Sequence, residues 1–309
     1  MAVSQRTDAE ARAAEAHAAE AHAGGAPPIT WRDKLQTFRT AAWLGWQAES
    51  NWTDPLLFAV YSLVKPLAAA MILVVIYRIV GSETADALFP GMYVGNALFM
   101  YVGALMFGVS WVVIEDREYY RTLKYIYVTS SGIMWYLAGR AVAKFLVTTI
   151  AVVVLFIFGR AFLGVPLSPA SVDWGLLAAV FPLGLLTTVG LGLILAGIML
   201  LAARHGEGYT ESVAGALYLL CGVVFPLDVL PGWLQAAGKV IPLTYWIEGL
   251  RRAFLDQPFG SALASYSDGA LLAVLAVSTA ATMLVAVPFY RWMDRVARSR
   301  GLLDQLTEH

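Results

Sequence analysis

Between Asp86 and Glu115 the chain carries no charged residue. A stretch that long and that apolar has one stable solution outside water, a helix that satisfies its own backbone within lipid. Hydrophobic residues make up 59% of the 309-residue chain and charged residues only 14%, far from the balance of a soluble domain. At roughly 20 residues per crossing there is room for about six spans with modest loops. A net charge of −1 gives no general attraction to nucleic acid, so no nucleic-acid partner is expected. The one cysteine, Cys221, lies in an apolar run and reads as a small buried hydrophobe. No apolar stretch follows the first residues, so the first span is expected to target the chain rather than a cleaved signal peptide.

Residues 1–28 are rich in Ala, Glu and His and read as a disordered cytoplasmic tail. Its His17 and His22 lie five apart with no third ligand nearby, a solvated repeat rather than a metal site. Residues 29–54 are amphipathic, with Trp31, Leu35, Phe38 and Trp46 interleaved with Arg32, Lys34 and Arg39. That pattern suits a helix in the headgroup layer; the other reading is the first turns of a longer span. Residues 55–295 form the transmembrane domain and 296–309 a cytoplasmic C-terminal tail. The expected spans run from about Leu56 to Tyr77, Tyr93 to Val113, Met134 to Phe158, Leu176 to Ala202, Tyr209 to Phe225 and Gly269 to Tyr290.

The segment from Gly222 to Gln235 breaks this pattern. An apolar run meets Pro226, Asp228 and then Leu-Pro-Gly-Trp at 230–233. Non-helical backbone cannot face hydrocarbon, so such a break belongs at a membrane surface or against a protein-lined path. Lys and Arg placement gives the side. Arg32, Lys34, Arg39, Arg117, Arg121, Lys124, Arg204, Arg291, Arg295, Arg298 and Arg300 fall on one face, and the short loops 81–91 and 164–173 on the other hold no basic residue. Both termini are expected inside and the break outside, in the cytoplasmic membrane. Lys239, Arg251 and Arg252 are the exceptions.

Every Asp and Glu falls in a tail, a loop or a span edge. No carboxylate is placed to carry a proton or sodium ion at mid-membrane, which disfavours an ion-coupled carrier. Lys65, Arg140 and Lys144 are embedded cations, read either as snorkelling to the headgroups or as lining an inward-facing mouth. Protease, hydrolase and phosphate-loop motifs are missing from the sequence, so the chain is not expected to be an enzyme or to hold ATP itself. The inner loop 115–131 starts charged and continues aromatic. It reads as a short amphipathic helix, either a headgroup-anchored connector or a docking helix for a cytoplasmic partner.

Two segments together resemble the permease subunits of ABC-2 type ATP-binding-cassette exporters. Their inner loop typically reads Glu-Arg-Glu-x-Gly-Thr-Leu-Glu followed by Thr-Pro. Arg117, Glu118, Thr122 and Leu123 fit, while Arg121 replaces the glycine, Lys124 the glutamate and Ser131 the proline. The stretch 225–235, followed by Ile-Pro-Leu-Thr-Tyr-Trp-Ile-Glu-Gly-Leu-Arg at 241–251, resembles the family's outer region before the last span. The resemblance covers about Trp31 to Arg295.

It implies an all-α integral membrane fold: six transmembrane helices, an N-terminal interfacial helix, a cytoplasmic coupling helix, and outer re-entrant helices before the last span. It also implies a second permease, as a copy or paralogue, above two ATPase subunits that hold ATP and Mg, with no cofactor on this chain. Coupling would fall to Glu115, Arg117, Glu118, Arg121, Thr122, Leu123 and Tyr127. In relatives the second and fifth spans line the route, which here gives Asn96, Phe99, Gly103, Phe107, Ser110, Tyr218 and Phe225. Asn96, Gly103 and Ser110 recur every seven residues, a spacing that also suits a helix-packing seam. Pro226, Asp228, Pro231, Gly232, Trp233 and Trp246 would form the outer gate. The expected function is outward movement of a hydrophobic or amphipathic compound (drug, antibiotic or lipid). Lipid-linked polysaccharide export and a non-transporting scaffold or sensor are the alternatives.

Overall fold

In the computed structural model, residues 30–50, 55–80, 83–120, 125–126, 133–201 and 206–301 are described, and every regular element among them is helical. Helix α1, Trp31–Ser50, opens on a reciprocal cap. The Thr30 hydroxyl and N–H donate to Asp33 Oδ2 at 2.7 and 2.8 Å, and the Asp33 N–H returns a bond to the Thr30 hydroxyl at 3.4 Å. Those bonds from Thr30 hold the Asp33 carboxyl below its usual range. Helix α2 is Pro55–Val80. Helix α3, Glu83–Tyr101, passes through a π-helical turn at Val102–Phe107 into α4, Gly108–Ile114, and then a second π turn at Glu115–Tyr119. Helices α5, Ile133–Phe162, and α6, Trp174–Leu201, come next.

Helix α7 is Gly206–Leu220. Its expected span reached Phe225, but the helix stops at Leu220 because Gly222 takes a φ of 64°, a left-handed turn that glycine adopts without strain. Fifteen residues rise only roughly 22 Å, less than the hydrocarbon core of a bilayer. A 3₁₀ turn at Leu227–Val229 leads to α8, Gly232–Val240, and α9, Pro242–Leu255. Pro242 starts α9 where no N–H is needed, and Asp256 at φ 54° ends it. Helix α10, Asp268–Ser299, is capped by the Ser267 hydroxyl, which accepts the Ala270 N–H at 3.2 Å.

Four described helices are long and apolar enough to cross a membrane: Ala87–Arg117, Ile133–Phe162, Trp174–Leu201 and Asp268–Ser299, none shorter than 28 residues. Small residues set how closely they pack. Helix α1 lies along α5, where a Cβ at Gly45 would sit 2.8 Å from the Ala143 Cβ, and one at Gly139 would overlap the Phe38 carbonyl. Helix α6 runs along α10, joined by the Thr187 and Thr279 hydroxyls at 2.7 Å. Gly192 of α6 faces the first π turn, 3.0 Å from the Met106 carbonyl measured from its would-be Cβ. Fully buried Trp246 of α9 fills the space above Gly184 of α6. The bundle therefore has two ends. One gathers α1, the start of α5 and the ends of α4, α6 and α10; the other gathers α8 and α9 with the starts of α3, α6 and α10.

Candidate translocation, gate and coupling sites

At the α1 end the charged groups form a chain of ion pairs. Arg140, 3% exposed, donates to Glu115 at 2.9 Å, and Lys144 donates to Glu49 at 2.5 Å. Each cation, read from the sequence as snorkelling or as lining a mouth, is neutralised by a carboxylate from another element. Lys65 lies in α2 with its side chain outside the described residues. Arg117 is buried and reaches the Met199 and Leu200 carbonyls, at the end of α6, at 3.5 and 3.4 Å.

Glu115 and Arg117, expected on a helix presented to a partner, thus turn toward their own bundle. The reason is continuity: Glu115–Tyr119 is the final π turn of the span rather than the start of a separate helix. Glu118 falls in that turn with its side chain outside the described residues. Arg121, Thr122, Leu123 and Tyr127 lie outside them altogether. Ile126 packs half-buried against the lower core.

The expected path residues of α3 and α7 meet. The Tyr218 hydroxyl donates to Asn96 Oδ1 at 2.6 Å, and the Tyr218 and Phe99 rings meet edge-on with centroids 5.1 Å apart. Gly103, and Gly215 one turn before Tyr218, have no neighbouring atom within 4 Å of a would-be Cβ, so open space adjoins both. Phe107 and Phe225 are half-buried against the core. Ser110 departs from the stripe: it is fully buried and donates to the Phe107 carbonyl at 2.8 Å. The π turn between Gly103 and Ser110 explains this. A seven-residue repeat returns to one face only at about 3.6 residues per turn, and π-helical winding rotates the residues beyond it by roughly a quarter turn.

The six gate candidates divide. Pro231, Gly232 and Trp233 are exposed, Trp233 by 73%. Asp228 is exposed and its carboxylate accepts the Ser261 N–H, tying the 3₁₀ turn to the loop after α9. Pro226 is buried. Trp246 is 0% exposed, which makes it a core anchor rather than a surface flap, because Gly184 leaves the cleft its indole occupies.

Sequence reasoning missed the residue that organises this end. Arg251 is buried, its Nε donating to the Gly91 carbonyl at 2.7 Å and its Nη2 to the Gly222 and Val223 carbonyls at 2.9 and 2.6 Å. Its guanidinium also lies 3.9 Å over the Phe259 ring. One side chain thus joins α3, the turn after α7, and α9. Gly95 permits it, since a Cβ there would overlap the guanidinium. Beside it, Glu248 accepts the Phe259 N–H at 3.1 Å and Arg252 Nε at 3.2 Å, and Arg252 also pairs with Asp268 at 2.9 Å. The signal was present: two arginines stood on the face where basic residues are not expected, with Glu248 one turn from Arg252.

The described residues form a bundle of apolar helices, with the shorter helices α7, α8 and α9 preceding the last long one. The chain matches the ABC-2 type transporter family over residues 36–255. The chain belongs to that family. Among curated proteins none matches it. Members of the family are membrane permease components and generally pair with an ABC ATPase subunit. In this ABC-2 permease the family match takes in α5, α6, α7 and the Arg251 junction, and ends where α9 ends.

Proposed function

We propose that this permease exports a hydrophobic or amphipathic compound, such as a drug, antibiotic or lipid, outward across the cytoplasmic membrane. The observation that carries the reading is the ring contact of Phe99 with Tyr218 between α3 and α7, with Asn96 bonded to the Tyr218 hydroxyl and open space beside it at Gly103 and Gly215. A face of that composition receives apolar surface and orients it by a single hydrogen bond. Two permeases pair across it, and two ATPase subunits beneath them bind ATP and Mg. Helices α2 and α7 complete a six-span layout, α7 relying on the turn after it and on α8 and α9 to reach the outer surface. Helix α1 lies at the inner surface, both termini are inside, and α8 and α9 form an outer re-entrant pair. Residues 115–127 take the push of ATPase closure, with Glu118 and Thr122 at the contact.

The test is reconstitution with an ATPase subunit in vesicles loaded with a panel of hydrophobic dyes and lipid analogues. ATP-dependent movement of at least one compound is expected, and it should survive collapse of ion gradients. Replacing Glu118 or Thr122 should leave ATP hydrolysis running while movement stops. Movement that persists without ATP and fails with the gradient would overturn the reading, as would an assembly that moves nothing.

A further inference from the structure

We propose that the outward face of α1 is a docking groove for the headgroups of anionic phospholipids. Helix α1 cannot turn freely. Ala41 and Gly45 are buried on α5, and Trp31 meets Trp135 edge-on with centroids 5.1 Å apart. The Glu49–Lys144 pair holds its far end. The face left over is fixed in direction. It carries Arg32, Gln36, Arg39 and Trp43 in one stripe, flanked by Leu35 and Thr40, and these six residues line a groove of about 590 Å³.

The charge balance of this groove selects its occupant. Arg32 and Arg39 are exposed, and among the described residues neither forms an ion pair. No carboxylate lines the groove. Of the two acids on the same helix, Glu49 is neutralised by Lys144, and Asp33, held at the helix start by Thr30, does not line the groove. Guanidinium groups offer paired donors suited to phosphate oxygens. Trp43, 63% exposed, and Leu35, 48% exposed, add the amphipathic and apolar surface that sits well at the headgroup level but is costly in water. Helix α1 tracks α5 from Trp135 to Lys144, over the first turns of a membrane-crossing helix. An anionic leaflet supplies the phosphate there.

The experiment uses the full chain extracted from vesicles of phosphatidylcholine with and without phosphatidylglycerol. Retained lipid is counted by native mass spectrometry. R32Q/R39Q is expected to lower retained phosphatidylglycerol relative to phosphatidylcholine on the order of tenfold. R32K/R39K should fall between that variant and the unaltered chain, because the charge stays and the fork is lost. R291Q/R300Q removes the same charge from exposed positions at the end of α10 and should change retention by less than about twofold. Equal loss in R291Q/R300Q would mean diffuse attraction and overturn the groove. Unchanged retention in R32Q/R39Q would overturn it too, and loss of ATPase co-purification in that variant with lipid retention intact would assign the groove to the ATPase instead. Retention is read on the permease alone, so its failure leaves the export reading standing, and the reverse also holds.

Discussion

Arg251 shows how one buried side chain can substitute for many contacts. A guanidinium taken out of water is costly unless its donors are used, and here three of its bonds reach main-chain carbonyls on two separate segments. Arg251→Ala is therefore expected to destabilise the permease by on the order of 3 kcal/mol, read as a lowered thermal midpoint in detergent. Arg251→Lys should recover only part of the loss, since one ammonium cannot span the fork. Gly184 poses the complementary case. A methyl group there overlaps the Trp246 indole, so Gly184→Ala is expected to cost on the order of 2 kcal/mol by the same measurement. Combining it with Trp246→Phe should cost less than the sum of the two single changes, because the smaller ring yields the space. Gly184 falls in no motif, and although Arg251 ends the 241–251 segment, the role of each depends on which helices face one another.

At the scale of elements, apolar length is legible in the sequence and winding is not. Four long apolar helices stand where four of the six expected spans fall. The π turns at Val102–Phe107 and Glu115–Tyr119 leave no mark that a seven-residue repeat could detect, which is why spacing alone puts Ser110 on the wrong face. Likewise, Arg140 and Lys144 look like isolated embedded cations, because their carboxylates lie 25 and 95 residues away in sequence. The Arg140–Glu115 pair now gives a direct test of the α4–α5 junction. Glu115→Arg alone is expected to lower the thermal midpoint by setting two cations against each other. Glu115→Arg with Arg140→Glu should restore most of it. Failure of the double variant to recover would show that the pair's surroundings, rather than the pair itself, hold the junction.

For the molecule as a whole, the family and the helical architecture could be read from two loop segments and the distribution of charge. The length of α7 could not, because apolar residues continue past Leu220 while the backbone turns at Gly222. Two of the three exceptions to the charge rule have a reason at this scale: Arg251 and Arg252 are internal fasteners and carry little topological weight. If the proposed orientation is right, a cysteine in place of Trp233 reacts with an impermeant maleimide added to intact cells, and one in place of Arg300 reacts only after permeabilisation. Equal labelling of both would reject that orientation. Such reporters can be placed in the unaltered chain. Cys221 is the one native thiol and only 2% exposed, packed beneath the turn that Arg251 pins. Slow modification of the unaltered protein would then time how often this junction comes apart, so the permease carries its own clock for local unfolding.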